Sequence, residues 1–321
     1  YSARSEEFKT EAGMALAIDT CKQNNIEGII TIGGAGTFRG ATDLTRRGIP
    51  CVGIPGTIDN DIASTDYTIG YDTAMNTAIQ MVDRLRDTCE SHFRCNVVEI
   101  MGRNSGYIAL NVGLATGAAQ IVVNELPFDE ERMYEEILIG KKRGKRHYII
   151  MVAEGCKGYA EELTEKIQER TGVESRFTRL GHVVRGGSPS LRDRVVASRM
   201  GIEAVDQLLA GKSNIVICMH GEDIDAMNIE FALTLDHMYK GKLKEGELDK
   251  YSIRRCGSTA RKKRRTSRSS TIRRWTFRNN RISGAVFCAG SFICGSFAAK
   301  KGQNLKKRGD DNDFNSIHRR D

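Results

Sequence analysis

Short apolar runs alternate with longer amphipathic segments over the first 250 residues of this chain of 321. The runs have the length of strands, and the segments between them repeat apolar residues at the three- and four-residue spacing of helices. Such alternation is typical of the α/β class, in which helices join the strands of a parallel sheet. The strand predictions are 28–32, 51–54, 97–100, 121–124, 148–152 and 215–218, and the helix predictions are 6–23, 71–87, 107–116, 130–140, 160–171 and 191–209.

The chain changes character near residue 250. Residues 251–321 hold 19 Lys+Arg and 4 Asp+Glu, so this tail carries +15, whereas residues 1–250 carry −7. Its composition predicts disorder. Basic residues beside Trp275 and Phe277 would also suit a nucleic-acid-binding tail. We instead expect a solvated tail outside the evolved fold, for instance after a change of reading frame, and no nucleic-acid partner.

Cysteine usage and hydropathy indicate the cellular compartment of the protein. The nine cysteines include no CxxC pair, which predicts reduced thiols and a cytoplasmic protein. The longest apolar run, 285–299, has 15 residues, and a membrane-spanning helix needs about 20. We therefore expect no membrane partner.

A polar segment, Pro55-Gly-Thr-Ile-Asp-Asn-Asp61, directly follows the apolar run 49–54. Ligands of parallel α/β sheets bind at the carboxyl ends of the strands. The segment would bring the hydroxyl of Thr57 and the carboxylates of Asp59 and Asp61 to that edge, where a proton acceptor would be useful. An Asx-rich turn without a ligand would have a similar sequence.

A glycine-rich segment links another predicted strand to a helix. It reads Ile30-Thr-Ile-Gly-Gly-Ala-Gly-Thr-Phe-Arg-Gly-Ala41, with four glycines within eight residues. Glycines let backbone N–H groups approach a polyphosphate, and the helix N-terminus favours its charge. Glycine-rich turns of this kind also occur without any ligand.

Two further segments are suited to anions. Met101-Gly-Arg103 follows the predicted strand 97–100, and the segment 176–188 contains Arg176, His182 and Arg185. Arginine binds phosphate oxygens bidentately. One such cluster could be a surface salt-bridge network, but several at strand ends predict a phosphorylated substrate.

Together these motifs resemble those of the bacterial-type ATP-dependent 6-phosphofructokinases, from Tyr1 to about Leu248. Gly33-Gly-Ala-Gly-Thr37, the segment 55–61, Met101-Gly-Arg103 and Leu180-Gly-His-Val-Val-Arg-Gly-Gly-Ser-Pro189 follow the order and spacing of that family. The resemblance implies two Rossmann-like three-layer α/β/α domains. It assigns 1–70 plus 184–234 to ATP binding, 71–183 plus 235–249 to fructose 6-phosphate and effector binding, and leaves 250–321 as a non-family tail.

The resemblance implies the roles of the catalytic residues. Asp59 would accept the proton of the sugar 1-hydroxyl, Thr57 would contact the transferred group, and Arg103 would face the charge on that group. Asp61 would orient the site or help to hold Mg²⁺.

Substrate binding is implied for a larger set of residues. The equivalents of Arg94 and Arg176 lie across a subunit boundary in the family, so a homo-oligomer, usually a tetramer, is expected. Glu154 alone would pass for a surface carboxylate, and His182 alone for a packed loop histidine. The substrate-binding set is Thr57, Asp59, Arg94, Met101, Gly102, Arg103, Glu154, Arg176, His182 and Arg185.

The nucleotide would bind at Gly34, Gly36, Thr37 and Gly40. Pyrophosphate-dependent relatives carry an acid at the position of Gly36 and Lys at that of Gly56, so the two glycines imply ATP as the donor. Ala35 stands where the family has an Asp that serves Mg²⁺, and magnesium prefers oxygen ligands. We therefore expect slow turnover with sugar phosphate binding largely kept.

Effector binding is implied at Arg86, Gly117, Arg143, Lys145 and His147, with ADP or phosphoenolpyruvate as the ligand. Ala119 replaces an acid that often completes this site. The basic run 141–147 could also be a solvated turn.

The function implied is ATP-dependent phosphorylation of fructose 6-phosphate in glycolysis. The alternative is a catalytically impaired homologue that binds sugar phosphate or regulates. The sequence opens on a segment that in the family follows the first strand and its glycine loop, so we expect exposed apolar edges.

Overall fold

The computed structural model describes residues 5–251, and the predictions for the tail therefore lie almost entirely outside the described residues. The described part contains eight strands and eight α-helices. The strands are β1 Ile29–Gly33, β2 Cys51–Pro55, β3 Cys95–Ile100, β4 Gln120–Val122, β5 Tyr148–Ala153, β6 Ser175–Arg179, β7 Ile215–His220 and β8 Asp223–Asn228. The helices are α1 Glu11–Gln23, α2 Ala35–Arg46, α3 Tyr71–His92, α4 Tyr107–Ala115, α5 Glu130–Lys142, α6 Tyr159–Thr171, α7 Leu191–Leu209 and α8 Ile229–Tyr239.

The strands form two sheets of four. The first has the order β1-β2-β7-β8, in which only β8 runs antiparallel to its neighbour, and the second has the all-parallel order β4-β5-β3-β6. Every residue of β2, β3 and β5 is buried, as expected of parallel strands with both faces covered. All six predicted strands are present, and the α/β class is confirmed.

The strands that the sequence did not predict are both at sheet edges. β6 pairs only with β3, and β8 pairs only with β7. Edge strands carry polar and charged residues, which protect an unpaired edge. Arg176 and Arg179 of β6 are exposed, as is Asp223 of β8, so neither strand shows the apolar run of a buried strand.

Helix ends follow their caps. α7 has the predicted bounds, and the side chain of Ser190 accepts the N–H of Asp193 at its start. α1 begins at Glu11, later than predicted, because the side chain of Thr10 accepts the N–H of Gly13 and fixes the first turn there. α3 continues to His92, and α8, capped by Asn228, was not predicted.

Three apolar clusters show the layering. One lies between the two sheets and joins β2, β3, β5 and β7 to α3, α4 and α7. Another packs α5 and α6 on the outer face of the second sheet, and the third packs α1, α2 and α8 on the outer face of the first. Each sheet thus has helices on both faces. The predicted domain boundaries remain predictions, and one of them, 234/235, lies inside α8.

Several large apolar side chains are exposed on β1 and α7. Ile32 on the edge strand β1 is 59% exposed, and α7 presents Leu191, Ile202 and Leu209 at 65% exposure or more. Along the described residues, no helix has both the length and the apolar character that crossing a membrane requires.

Candidate active site

The carboxyl ends of three buried strands bring the predicted catalytic residues to one edge. β2 leads into the segment with Thr57 and Asp59, β3 into Met101-Gly-Arg103, and β5 into Glu154. Because β3 and β5 pair in register up to Ile100 and Ala153, Met101 and Glu154 leave the sheet side by side.

Asp59 is a buried carboxylate with an unused oxygen. It is only 7% exposed, and its Oδ1 has no hydrogen-bond partner. The backbone N–H of Asp59 donates to Thr57 Oγ1 at 3.3 Å, and the hydroxyl of Thr68 donates to the Thr57 carbonyl at 2.6 Å. The segment is therefore held by its own backbone and hydroxyl groups, while the carboxylate remains available.

Charged groups around Asp59 affect its pKa in opposite directions. Burial raises the pKa of this carboxyl above its ordinary value, and the neighbouring charge of Asp61 raises it further. The positive charges of Arg185 and Arg103 lower it, and Glu154 raises it slightly. Asp59, Arg103, Arg185 and Glu154 thus share one electrostatic environment although they come from four segments of the chain.

Glu154 holds the turn that carries Arg103. Its Oε2 accepts the N–H of Gly102 at 3.2 Å and the N–H of Arg103 at 3.0 Å. Gly102 has φ of 157° and Arg103 has φ of 60°. A Cβ at Gly102 would lie 2.3 Å from the carbonyl oxygen of Ser105, so the turn requires glycine there. Glu154 therefore fixes the backbone of the turn that carries the exposed side chain of Arg103.

Two other basic residues follow β6. His182 and Arg185 lie on the short 3₁₀-helix Gly181–Arg185, and both are exposed. Arg185 acts on the charge of Asp59, so this helix lies close to the same edge. The structure therefore brings together the predicted base and two of the predicted phosphate-binding arginines, Arg103 and Arg185.

Asp61 has a partner that the sequence did not reveal. Lys240, at the end of α8, places its Nζ 3.2 Å from Asp61 Oδ2 and 3.6 Å from Asp236 Oδ2. Asp236 is 4% exposed and accepts the N–H of Ala63 at 2.6 Å. An ammonium group therefore occupies one side of the carboxylate for which we predicted a metal-binding role.

The glycine loop forms the N-terminus of α2, which begins at Ala35. No side chain caps this helix. A Cβ added at Gly34 or Gly36 would meet no atom within 4 Å. Backbone donors and open space therefore coincide at Gly34 and Gly36, and Thr37 follows in the same first turn. Gly40 lies one turn further along the helix, where a Cβ would meet the ring of Phe8 at 3.2 Å.

Arg94 and Arg176 lie at the opposite edge of the second sheet. Arg94 precedes β3, Arg176 is the second residue of β6, and both pair with Glu174, Arg94 at 2.9 Å. Arg94 and Met101 flank the six residues of β3, and the seven residue steps between them correspond to roughly 23 Å. These two arginines are therefore not brought to the Asp59 edge of their own chain.

A cavity of about 510 Å³ lies near the predicted effector residues. Arg143 and Lys145 line it, together with Ala119, Glu136 and Tyr148. Arg86 donates to the carbonyl of Thr116, next to Gly117, which has φ of 63°. Burial lowers the pKa of His147; Glu90 opposes this shift, and Lys145 and Arg86 add to it. Arg143 and Lys145 thus bring positive charge to the cavity, and Lys145 and Arg86 both act on His147.

Known proteins resemble this chain in sequence and in fold. Residues 1–208 match the family model described as phosphofructokinase. The chain is 51% identical over 244 residues to an ATP-dependent 6-phosphofructokinase of Clostridium tetani, covering 76% of each chain, and 49% identical over 237 residues to one of Brevibacillus brevis, covering 74% of each.

Among solved structures, the phosphofructokinase of Saccharomyces cerevisiae superposes with a TM-score of 0.70 at 29% identity. That match covers 78% of this chain and 38% of the yeast chain. A sequence match that includes the motif-bearing segments and a shared fold give the same assignment. The chain belongs to the phosphofructokinase family.

Proposed function

We propose that this chain transfers the γ-phosphoryl group of ATP to the 1-hydroxyl of fructose 6-phosphate, a step of glycolysis. The observation that carries the proposal is the carboxylate of Asp59, buried, with one oxygen unpartnered, and surrounded by the positive charges of Arg103 and Arg185. The names of the relatives, ATP-dependent 6-phosphofructokinases, support the same reaction.

The mechanism follows from this arrangement. Asp59 Oδ1 accepts the proton of the 1-hydroxyl as the sugar oxygen bonds to the γ-phosphorus and the bond to the leaving ADP oxygen breaks. A carboxylate suffices as the acceptor because its pKa is raised by burial. Thr57 contacts the transferred group, and Arg103 stabilises the charge that develops on it.

Recognition of the sugar phosphate uses the same edge. Met101 and Gly102 line the turn that Glu154 holds, and the second oxygen of Glu154 can accept a sugar hydroxyl. His182 and Arg185 are exposed on one short helix and can bind the 6-phosphate as cationic donors.

Arg94 and Arg176 serve the site of a second copy. Their place at the far edge of the sheet, roughly 23 Å from Met101, supports a homo-oligomer in which each site borrows arginines from its neighbour. Their pairing with Glu174 would keep them in position before they meet the phosphate. A tetramer is the assembly that we expect.

Magnesium is proposed to enter as part of the ATP substrate. The residues of this chain do not fit a protein-built Mg²⁺ site: position 35 is Ala, and Asp61 is paired with Lys240. Across residues 5–251, no group of three or more acidic, His or Cys side chains could hold a metal ion. Gly34, Gly36, Thr37 and Gly40 would bind the nucleotide through the N-terminus of α2.

Regulation is proposed at the cavity beside Arg143 and Lys145. Arg86, Gly117 and His147 complete a basic surface suited to ADP or phosphoenolpyruvate. Lys145→Met should abolish saturable binding of ADP at this cavity while leaving fructose 6-phosphate affinity unchanged. The six described cysteines are free thiols, five of them buried, in keeping with a cytoplasmic enzyme.

Calorimetry and a coupled assay for ADP release, both with fructose 6-phosphate, test the proposal. The wild-type chain should bind the sugar phosphate and release ADP, Asp59→Asn should bind without turnover, and Asp223→Asn on the exposed β8 should match the wild type. Binding without turnover in the wild type would indicate the impaired homologue instead. No binding at all would refute the proposed site.

A further inference from the structure

Asp193 is a buried carboxylate outside the predicted site. It lies in the first turn of α7 and is 2% exposed. Its Oδ1 accepts the hydroxyl of Tyr67 at 2.6 Å and the N–H of Gly70 at 2.8 Å. Its Oδ2 accepts the N–H of Thr73 at 2.9 Å and also the hydroxyl of Thr73. Both oxygens are thus saturated by donors from another part of the chain.

These donors begin α3. Gly70, the residue before this helix of 22 residues, has no side chain that could cap it. The N–H groups of Gly70 and Thr73 are therefore satisfied by a carboxylate supplied from α7. A negative charge at a helix N-terminus is favourable, and here it also joins two helices.

The hydrogen bond between Asp193 and Tyr67 connects α7 to the segment that contains Asp59. Tyr67 belongs to the segment between β2 and α3 that also contains Asp59. Its neighbour Thr68 donates to the carbonyl of Thr57 and, at 3.2 Å, to the side chain of Asn60. The hydroxyl of Thr68 thus joins the two ends of the segment that places the base, and the contact between Tyr67 and Asp193 anchors the later end to α7.

The hydrogen bonds between Asp193 and Thr73 connect α7 to the segment that follows Arg185. Ser190 donates its N–H to the hydroxyl of Thr73 at 3.0 Å. The hydroxyl of Thr77, one turn further along α3, donates to the carbonyl of Gly186 at 3.2 Å. Gly186 directly follows Arg185, so the first two turns of α3 hold the loop after the His182 helix.

We propose that Asp193 is a positioning residue that fixes the base segment 57–70 and the phosphate-binding segment 182–190 relative to each other. It acts through Tyr67 and Thr73 and touches no substrate. The inference rests on the proposed function, because it assigns the coupled segments to proton transfer and to 6-phosphate binding.

Hydrogen exchange of the full chain tests the coupling without any ligand. In Asp193→Asn, one oxygen can no longer accept, and backbone amides should exchange faster in both 57–70 and 182–190. Glu130→Gln is the matched control, because Glu130 accepts the hydroxyls of Tyr134 and Tyr159 while joining α5 to α6. It should leave both segments unchanged. Faster exchange confined to the first turn of α3 would overturn the proposal.

Calorimetry supplies a second readout that a general loss of stability would not give. Asp193→Asn should weaken fructose 6-phosphate binding about tenfold, the change in affinity that corresponds to the loss of one net hydrogen bond. It should weaken ATP binding less than about twofold, because neither of the coupled segments is assigned to the nucleotide. Equal weakening of both ligands, or no weakening for the sugar phosphate, would contradict the coupling.

A milder variant covers the case in which Asp193→Asn does not fold. Tyr67→Phe removes one donor and should weaken fructose 6-phosphate binding about threefold, with faster exchange in 57–70; no change in either would overturn the inference. A wild-type chain that fails to bind fructose 6-phosphate would refute the proposed function, whereas the exchange data judge Asp193 independently.

Discussion

Asp59→Asn should remove most phosphotransfer and at the same time stabilise the fold. In the wild type, a carboxylate that is 7% exposed leaves Oδ1 without a partner. Asn removes the charge at this buried position, and a buried charge costs free energy unless it is fully paired. Because Arg103 and Arg185 offset part of this cost, we expect a gain of about 1 kcal/mol in the free energy of unfolding, which corresponds to a rise in Tm of roughly 2–4 °C for a domain of this size.

The gain should depend on pH. Burial raises the pKa of Asp59 in the native state, so the native chain binds this proton more tightly than the unfolded chain does. Wild-type stability therefore increases as pH falls through the raised pKa. The Asn variant has no such proton, so its advantage should be largest near about pH 7 and should shrink in acid.

Thermal unfolding at neutral and at acidic pH measures both effects, with ADP release as the activity assay. Asp61→Asn is the matched control, since it breaks the 3.2 Å pair with Lys240 and should lower Tm. The reasoning fails if Asp59→Asn is no more stable than the wild type at neutral pH, or if its advantage is the same at both pH values.

Three further changes test other parts of the site. Ala35→Asp should raise kcat with MgATP by supplying the missing oxygen ligand; an unchanged kcat would defeat this account of slow turnover. Glu154→Gln weakens the hydrogen bonds that the N–H groups of Gly102 and Arg103 donate to this side chain. A loss of roughly 1.5–3 kcal/mol in transition-state stabilisation should lower kcat/KM about 10- to 100-fold. An unchanged kcat/KM would show that Arg103 needs no such support. Arg176→Ala and Asp59→Asn chains, each inactive alone, should regain activity when mixed if sites are shared between copies; failure in a verified mixed oligomer would refute sharing.

The sequence predicted the Asp59 edge because that edge depends on local signals. β2, β3 and β5 are buried on both faces and therefore appear as continuous apolar runs. Their carboxyl ends meet at one edge of a parallel sheet, so the residues that follow them, Asp59, Arg103 and Glu154, could be placed near one another. The order and spacing of the motifs then gave the family.

Other features depend on distant contacts that leave no local signal. Lys240 pairs with Asp61 across 179 positions of the chain, and Asp193 meets Tyr67 across 126. Nothing in the spacing of these residues indicates either contact. The position of Arg94 did carry a signal, because a residue that precedes a strand lies at the amino edge, away from the residues that follow the same strand.

The ratio of wild-type turnover to Asp59→Asn turnover, rather than either rate alone, separates a slow enzyme from a binding protein. The chain has a buried carboxylate, Asp59, for which we propose the role of base, and two arginines that act on its charge. It also has Ala at position 35 and a lysine paired with Asp61. A poor metal environment lowers turnover of the wild type and of Asp59→Asn alike. General-base catalysis contributes about 10²- to 10⁴-fold, so an enzyme of this design should lose that factor in Asp59→Asn however slow it is. A ratio near one would mean that Asp59 accepts no proton.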